Sequence, residues 1–450
     1  MVWENTQGDQ LVAKNRHNIA KTQLVPYFNL VVKSARGSIV TDVEGKRYID
    51  LLATDSAMNV GHNHPRVITA MKRQIDEFIS YDTGYFTNPT TIRLGERLAK
   101  LAPNPGHNKV AFGTSGSDAT EAMIKFARAY THRQYIVSFE GAYHGTTYGA
   151  LSMSACNVDM ARGIGPMLPG IVHVPFPNTY HCRPGETEHE TAQRAFADFK
   201  RPFAEFLPPE ETAAVILEPI QGDAGIIVPP REYMEAVDRF CHRHGILIGV
   251  DEVNQGLGRT GKLWSYQHFG LHPDLIATAK SLASGLPLSA VIGSATIMDA
   301  PGTSAYCFTG GGNPVNAAAA LATLDVLHDE HLIEKSAVDG EYAKEKFIQL
   351  AQKHPCIGDV RMLGLNGGIE IVKNRQTKER DSLTAAKIIY HAFQKGLIMA
   401  KLGGNVLRFQ PPLTISRNLI DEALLILDQV IKDVEENQVE LPDELRHDGW

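Results

Sequence analysis

The middle of the chain alternates short apolar, often β-branched runs with stretches of helical periodicity. VAFG at 110–113, YIVSF at 135–139, AAVILEP at 213–219, ILIGVDEV at 246–253, LIATAK at 275–280 and LSAVIGSA at 288–295 read as strands. Between two of them, REYMEAVDRFCHRHG at 231–245 reads as an amphipathic helix closed by a glycine. Strands alternating with helices predict an α/β fold built on a mostly parallel sheet with crossover helices.

The texture changes after an Ala-rich helix beginning near Asn316. IGDVRMLGLNGGIEIV at 357–372, a helix near 384–395, VLRFQPP at 406–412 and a last helix over 419–436 describe a smaller α+β lobe. YFNLVV and TDVEGKRYIDLLA, in the first 60 residues, carry strand and turn patterns suited to pairing with that lobe. The expected division is an N-terminal segment (1–60) joining the small domain, a large domain (61–325) and a C-terminal small domain (326–450).

Composition narrows the function. A chain of 450 residues with 43% hydrophobic and 21% charged content can bury a large core, and it matches neither disordered nor fibrous proteins. Lys and Arg number 44 against 51 Asp and Glu, a formal net charge of −7, and no basic run could track a phosphate backbone, so nucleic acid is not an expected partner. The opening MVWENTQGDQ lacks signal-peptide organisation, and no stretch approaches the roughly 18 apolar residues of a membrane span; a cytoplasmic protein without membrane attachment is expected. Cys156, Cys182, Cys241, Cys307 and Cys356 have no CxxC spacing, and His62 and His64 in GHNHP read as a hydrogen-bonded turn, so neither disulfides nor a metal is expected.

Three segments carry candidate chemistry. Lys280 follows the apolar LIATA and precedes the small residues SLASG, where an amine is partly withdrawn from water, as Schiff-base chemistry requires; the plain alternative is a strand-end lysine reaching solvent. Asp251 and Glu252 follow ILIGV, at the carboxyl end of a strand, where open α/β sheets place their ligands; an acid there also serves as a helix cap. FGTSGSDATEAMIKFARA at 112–129 is a strand end, a Gly/Ser turn and a helix start, whose free N–H groups and dipole attract phosphate, unless Ser115 or Ser117 simply caps the helix.

Together these segments resemble the class III aminotransferase family of fold-type I pyridoxal 5′-phosphate (PLP) enzymes, over nearly the whole chain. The specific match is DEVNQGLGRTG at 251–261 with a lysine 29 residues after the aspartate, supported by AYHG (142–145), LEPIQGD (217–223), FTGGGNP (308–314) and VLRFQPPLTI (406–415). The resemblance implies PLP as cofactor, Lys280 as the Schiff-base lysine and Asp251 as partner of the ring nitrogen. Gly116 and Ser117 are expected on the phosphate, Tyr143 and Val253 on opposite ring faces, and Asn254 near the phenolic oxygen, where the family usually has Gln. Thr309 is expected on the phosphate of a neighbouring subunit, which implies a homodimer with shared active sites, possibly pairing into a tetramer. Arg408 matches the family arginine for the substrate α-carboxylate, which points to a free amino acid as substrate. Glu218 is placed on the substrate side, and His144 lies in a matching motif; a buried hydrogen-bonded role explains both equally well.

Departures from the aminotransferase pattern bear on the reaction. Thr146 stands where 4-aminobutyrate aminotransferases carry an arginine clamp, so a dicarboxylate partner loses its anchor. Asp223 replaces the more usual Glu after EPIQG and is a candidate second acid/base opposite Lys280, or a turn cap. With KSLASGLPLSAVIG, IGDVRMLGLNGGIE and the closing Gly449 and Trp450, these features resemble the amino-acid racemase branch. The expected activity is racemisation or epimerisation at C2 of non-polar, branched-chain amino acids, catalysed by Lys280, Asp223 and Asp251. An aminotransferase with a non-dicarboxylate acceptor and a non-catalytic PLP-binding protein are the alternatives.

Overall fold

A computed structural model describes residues 6–23, 25, 27–102 and 106–442; Gly449 and Trp450 lie outside them. Sixteen strands are found among the described residues. Val32–Arg36 (β1), Ile39–Asp42 (β2) and Arg47–Asp50 (β3) come first. The central sheet contains Asn108–Gly113 (β4), Tyr135–Phe139 (β5), Ile171–Val174 (β6), Thr212–Leu217 (β7), Leu247–Asp251 (β8), Leu275–Thr278 (β9) and Ser289–Ser294 (β10). Ile357–Met362 (β11), Gly367–Asn374 (β12), Glu379–Arg380 (β13), Leu397–Ile398 (β14), Lys401–Leu402 (β15) and Val406–Phe409 (β16) follow.

The central sheet runs β4-β10-β9-β8-β7-β5-β6. Its β9-β8-β7-β5-β6 run is parallel and β10 is antiparallel to both neighbours. Every residue of β7, β8 and β9 is buried, which explains why their sequences read as continuous apolar runs rather than as alternation. The fold is therefore α/β, as the sequence predicts. β6 escapes the sequence reading because IVHV is short, half-buried and interrupted by His173. The helix Arg231–His244 ends where Gly245 adopts φ +62°, as its glycine implies.

Two smaller sheets flank this core. β14 pairs in parallel with β3 through Leu397 opposite Ile49 and Ile398 opposite Asp50, so the N-terminal strands share a sheet with a strand from near the C-terminus. β11-β12-β16-β15 form an antiparallel sheet with β13 at the side of β12. YFNLVV contributes little to a strand, since β1 starts only at Val32. His62 and His64 are hydrogen-bonded to Asp50 at 2.7 Å and Glu330 at 3.0 Å. No described helix is long and apolar enough to cross a membrane.

Candidate active site

Adjacent strands deliver their carboxyl-terminal loops to one place. Tyr143, His144 and Gly145 follow β5; Glu218, Gly222 and Asp223 follow β7; Asp251, Val253 and Asn254 end or follow β8; and Lys280 follows β9. With Gly116 and Ser117 they line a cavity of about 120 Å³. This is the end of a parallel sheet at which ligands bind.

Lys280 does not end its strand. β9 stops at Thr278, and Lys280 opens a short 3₁₀ turn with φ +45°, a left-handed conformation rarely adopted by a non-glycine residue. Such strain persists where the surroundings over-determine it, commonly at functional sites. Asp251 is buried beside it. Its Oδ2 lies 2.8 Å from His144 Nδ1, and its Oδ1 accepts from Val253 N at 3.0 Å. His144 Nε2 is buried with no partner among the described residues.

The helix Gly116–Thr131 begins with a capping box in which Ser115 Oγ accepts from Asp118 N at 3.2 Å, so Ser115, not Ser117, is the cap. The first-turn N–H groups of Gly116 and Ser117 have no acceptor among the described residues. Ser117 Oγ accepts from Thr146 N at 3.1 Å. A Cβ on Gly116 would stand 2.8 Å from Val253 Cγ1, so glycine is what lets the two loops approach.

Glu218 is buried and accepts from Tyr143 N at 2.9 Å and Gly222 N at 2.8 Å. Burial first, then the charge of Asp251, pushes its carboxyl well above the usual range. Burial also raises Asp223, more than Arg408 and Lys280 pull it down. No N–H of the described residues donates to the Asp223 carboxylate, so the turn-cap reading lacks its hydrogen bond. Tyr143 is raised by burial and then by Asp223.

Arg408, on β16, is buried and reaches the same region. Its Nη1 donates to Asp55 Oδ1 at 2.8 Å and its Nε to Gln410 Oε1. With its amide oxygen turned to the two cations, Asn254 accepts from Lys280 Nζ at 2.9 Å and from Arg408 Nη2 at 2.8 Å. Thr309 stands apart, exposed and outside the cavity lining.

Sequence reasoning missed Asp55, Gln410 and Cys156. Gln410 adjoins the recognised Arg408, whereas LLATDSAM carries no motif that would single out Asp55. Ala53, Thr54, Asp55 and Ser56 all have positive φ, from +50° to +68°, forming one left-handed turn without a glycine. Left-handed backbone costs non-glycine residues about 1–2 kcal/mol each. Asp50 Oδ1 holds the entry by accepting from the N–H groups of Leu52 and Ala53, both at 2.9 Å, and Arg259 Nε donates to Ser56 Oγ at 2.8 Å. Cys156 comes near enough to feel Asp223 and Glu218; burial first, then those charges, pushes its thiol up to about 12, so it stays protonated.

Residues 20–431 match the model of the family described as aminotransferase class-III. The chain belongs to the class III aminotransferase family. Among class III relatives it is 53% identical over 445 residues to isoleucine 2-epimerase of Lentilactobacillus buchneri, covering 99% of each chain. It is 40% identical to the leucine/methionine racemase of Thermococcus litoralis, covering 96% of this chain and 97% of that one. The fold superposes with a TM-score of 0.88 on a solved class III structure, a thermostable (S)-enantioselective omega-transaminase from Thermomicrobium roseum, at 33% identity and covering 96% and 100% of the two chains.

The cofactor of this family is PLP, and the cavity suits it. One wall offers two unpaired N–H groups at a helix start for a phosphate. The others offer an amine, an aromatic ring and a buried carboxylate at a strand end.

Proposed function

We propose that this class III enzyme is a PLP-dependent racemase that interconverts the L and D configurations at C2 of non-polar amino acids, with L-isoleucine and D-allo-isoleucine as the leading pair. The observation that carries the reading is that two groups able to hold a proton, the Lys280 amine and the Asp223 carboxyl with its raised proton affinity, line one cavity. The identity to isoleucine 2-epimerase supports the substrate class.

PLP supplies, when bound, an electron sink that acidifies the Cα hydrogen of an attached amino acid. In this reading Lys280 anchors the cofactor and Asp251, fixed by His144 and Val253 N, keeps the ring nitrogen protonated. Gly116 and Ser117 hold the phosphate, Tyr143 and Val253 bound the ring faces, and Asn254 lies toward the phenolic oxygen. Arg408 grips the substrate α-carboxylate, and Glu218 braces the Tyr143 loop against Gly222. Lys280 takes the Cα proton from one face while Asp223 delivers one to the other; one C–H bond breaks and one forms, and exchange with water resets both groups. Thr309 completes the phosphate site of a neighbouring subunit, which makes the homodimer the active form, with pairing into tetramers compatible. The chain divides into 1–60, 61–325 and 326–450, and it works in the cytoplasm.

The test is incubation of L-isoleucine in D₂O without any keto acid, followed by chiral chromatography with mass detection. The expected product is D-allo-isoleucine with deuterium at C2, formed over many turnovers. Conversion that needs added pyruvate or 2-oxoglutarate and releases matching keto acid would instead identify an aminotransferase, the reaction named for the Thermomicrobium structure.

A further inference from the structure

The three guanidinium nitrogens of Arg408 each have an acceptor: Gln410 Oε1, the Asn254 amide oxygen at 2.8 Å and Asp55 Oδ1 at 2.8 Å. Two of these are neutral amides. Asp55 alone among the described residues forms an ion pair with Arg408. It arrives there on the left-handed turn Ala53–Ser56, held by Asp50 on the backbone N–H of Ala53 and by Arg259 on the Ser56 hydroxyl. The Asp55 side chain is 59% exposed; the protein around it works to raise its carboxyl, and Arg408 and then Lys280 outweigh that and hold it below its ordinary value, so it is ionised at neutral pH.

An arriving α-carboxylate therefore meets a guanidinium whose charge is already balanced. It must share Arg408 with Asp55 or displace it. A second carboxylate on the same ligand would meet the acids Asp55 and Asp223, while the nearby cations are already engaged, Arg408 with Asp55 and, with the Asn254 amide oxygen turned to it, Lys280 with Asn254. Thr146, which follows the AYHG loop, offers no charge to compensate.

We propose that Asp55 is a specificity residue: its carboxylate neutralises Arg408 and repels any second carboxylate, confining the site to amino acids with a single carboxylate. This rests on the reading that Arg408 binds the substrate carboxylate. The expulsion is electrostatic and partly screened by water at the exposed Asp55 carboxylate, so removing that charge changes relative affinity by about five- to tenfold.

The experiment titrates the holoenzyme with valerate and glutarate, unreactive five-carbon probes with one and two carboxylates, following the cofactor absorbance. The wild type is expected to bind valerate and to bind glutarate more weakly. Asp55→Asn keeps the shape and removes the charge, and should shift the glutarate-to-valerate affinity ratio toward glutarate by about five- to tenfold. An unchanged ratio in Asp55→Asn overturns the proposal. So does a pattern in which Asp55→Ala weakens both probes alike while Asp55→Asn alters neither, since that is what a purely structural turn residue does. Arg408→Gln separates the two readings. If it abolishes valerate binding, the carboxylate role of Arg408 stands whatever Asp55 does; if valerate still binds, that role falls and the proposal falls with it.

Discussion

The rim of the central sheet lines the cavity with charge and the Ala53–Ser56 turn sets a charge on Arg408 next to it, by opposite means. At the rim, β8 and β9 lie in register, with Asp251 opposite Ala277; Asp251 ends its strand, and Lys280 follows two residues past the end of β9 through a single left-handed step. The turn has no such scaffold. It presents Asp55 through four consecutive left-handed residues, stabilised by Asp50 and by the buried guanidinium of Arg259. The strands place Asp251 at little conformational cost and leave one strained residue, Lys280, whereas the irregular turn carries four and must be held in place by hydrogen bonds from elsewhere.

The largest effect expected at the rim comes from Lys280→Ala. Without the amine, epimerisation should fall to background while Gly116, Ser117 and Asp251 still retain PLP, a pairing that absorbance and chiral chromatography read separately. Wild-type turnover would remove Lys280 from the mechanism.

Asp223→Asn comes next. Loss of a general acid/base costs roughly 10²- to 10⁴-fold in rate, with the fold intact. Because burial raises the Asp223 carboxyl, the ionised form opposes folding at neutral pH; the amide should therefore melt at the same temperature or higher. Turnover equal to wild type would leave Lys280, or water, serving both faces.

This contrast also explains what the sequence could and could not reveal. The strands behind Asp251 and Lys280 are wholly buried, and burial on both faces writes an unbroken apolar run that any reader of pattern finds. The motif spacing then identified the family. Asp55 left no such trace. Its φ of +56° is imposed by Asp50 and by Arg259, which lies 204 positions away in sequence, and neither local propensity nor a turn-favouring glycine announces it. For the same reason the pairing of Asn254 with Arg408 was invisible, since it joins the loop after β8 to β16 across distant sequence. The 3₁₀ turn at Lys280 was likewise hidden, because LIATAK continues the apolar pattern past the true end of β9.

Neighbouring acids on the rim test the comparison more gently. Asp251 faces the cavity, whereas Glu252 turns into the core and accepts from Ser265 N at 2.9 Å, Ser265 Oγ at 2.9 Å and Tyr266 N at 2.8 Å. Burial outweighs those donors and moves its carboxyl from 4.5 to about 7. The folded state then holds this proton more tightly than the unfolded chain. The resulting stabilisation is complete below pH 4.5 and is lost as pH rises to about 7. A shift of that size corresponds to roughly 3 kcal/mol. Denaturant midpoints measured across this range should fall with pH in the wild type and fall less in Glu252→Gln. Parallel profiles would show that Glu252 stays ionised throughout.

The smallest effect expected belongs to the turn. Thr54 has φ +50° and ψ +57°, and a β-branched residue is poorly suited to that region. Thr54→Gly removes the steric cost of about 1–2 kcal/mol, but glycine gives back roughly 0.5–1 kcal/mol through the greater freedom of its unfolded chain. The net gain is therefore at most about 1 kcal/mol, visible as a small rise in melting temperature. Thr54 is exposed and is not part of the cavity lining, so any change in ligand binding has to pass through the backbone that carries Asp55. If the strain serves to aim Asp55 at Arg408, the more stable variant should discriminate less sharply between valerate and glutarate than the wild type. If stability rises and discrimination is unaltered, Asp50 and Arg259 alone suffice to aim the carboxylate, and the left-handed turn is a cost of the fold rather than part of the site. A lower melting temperature would mean that the Thr54 side chain stabilises the turn by more than its backbone strain costs.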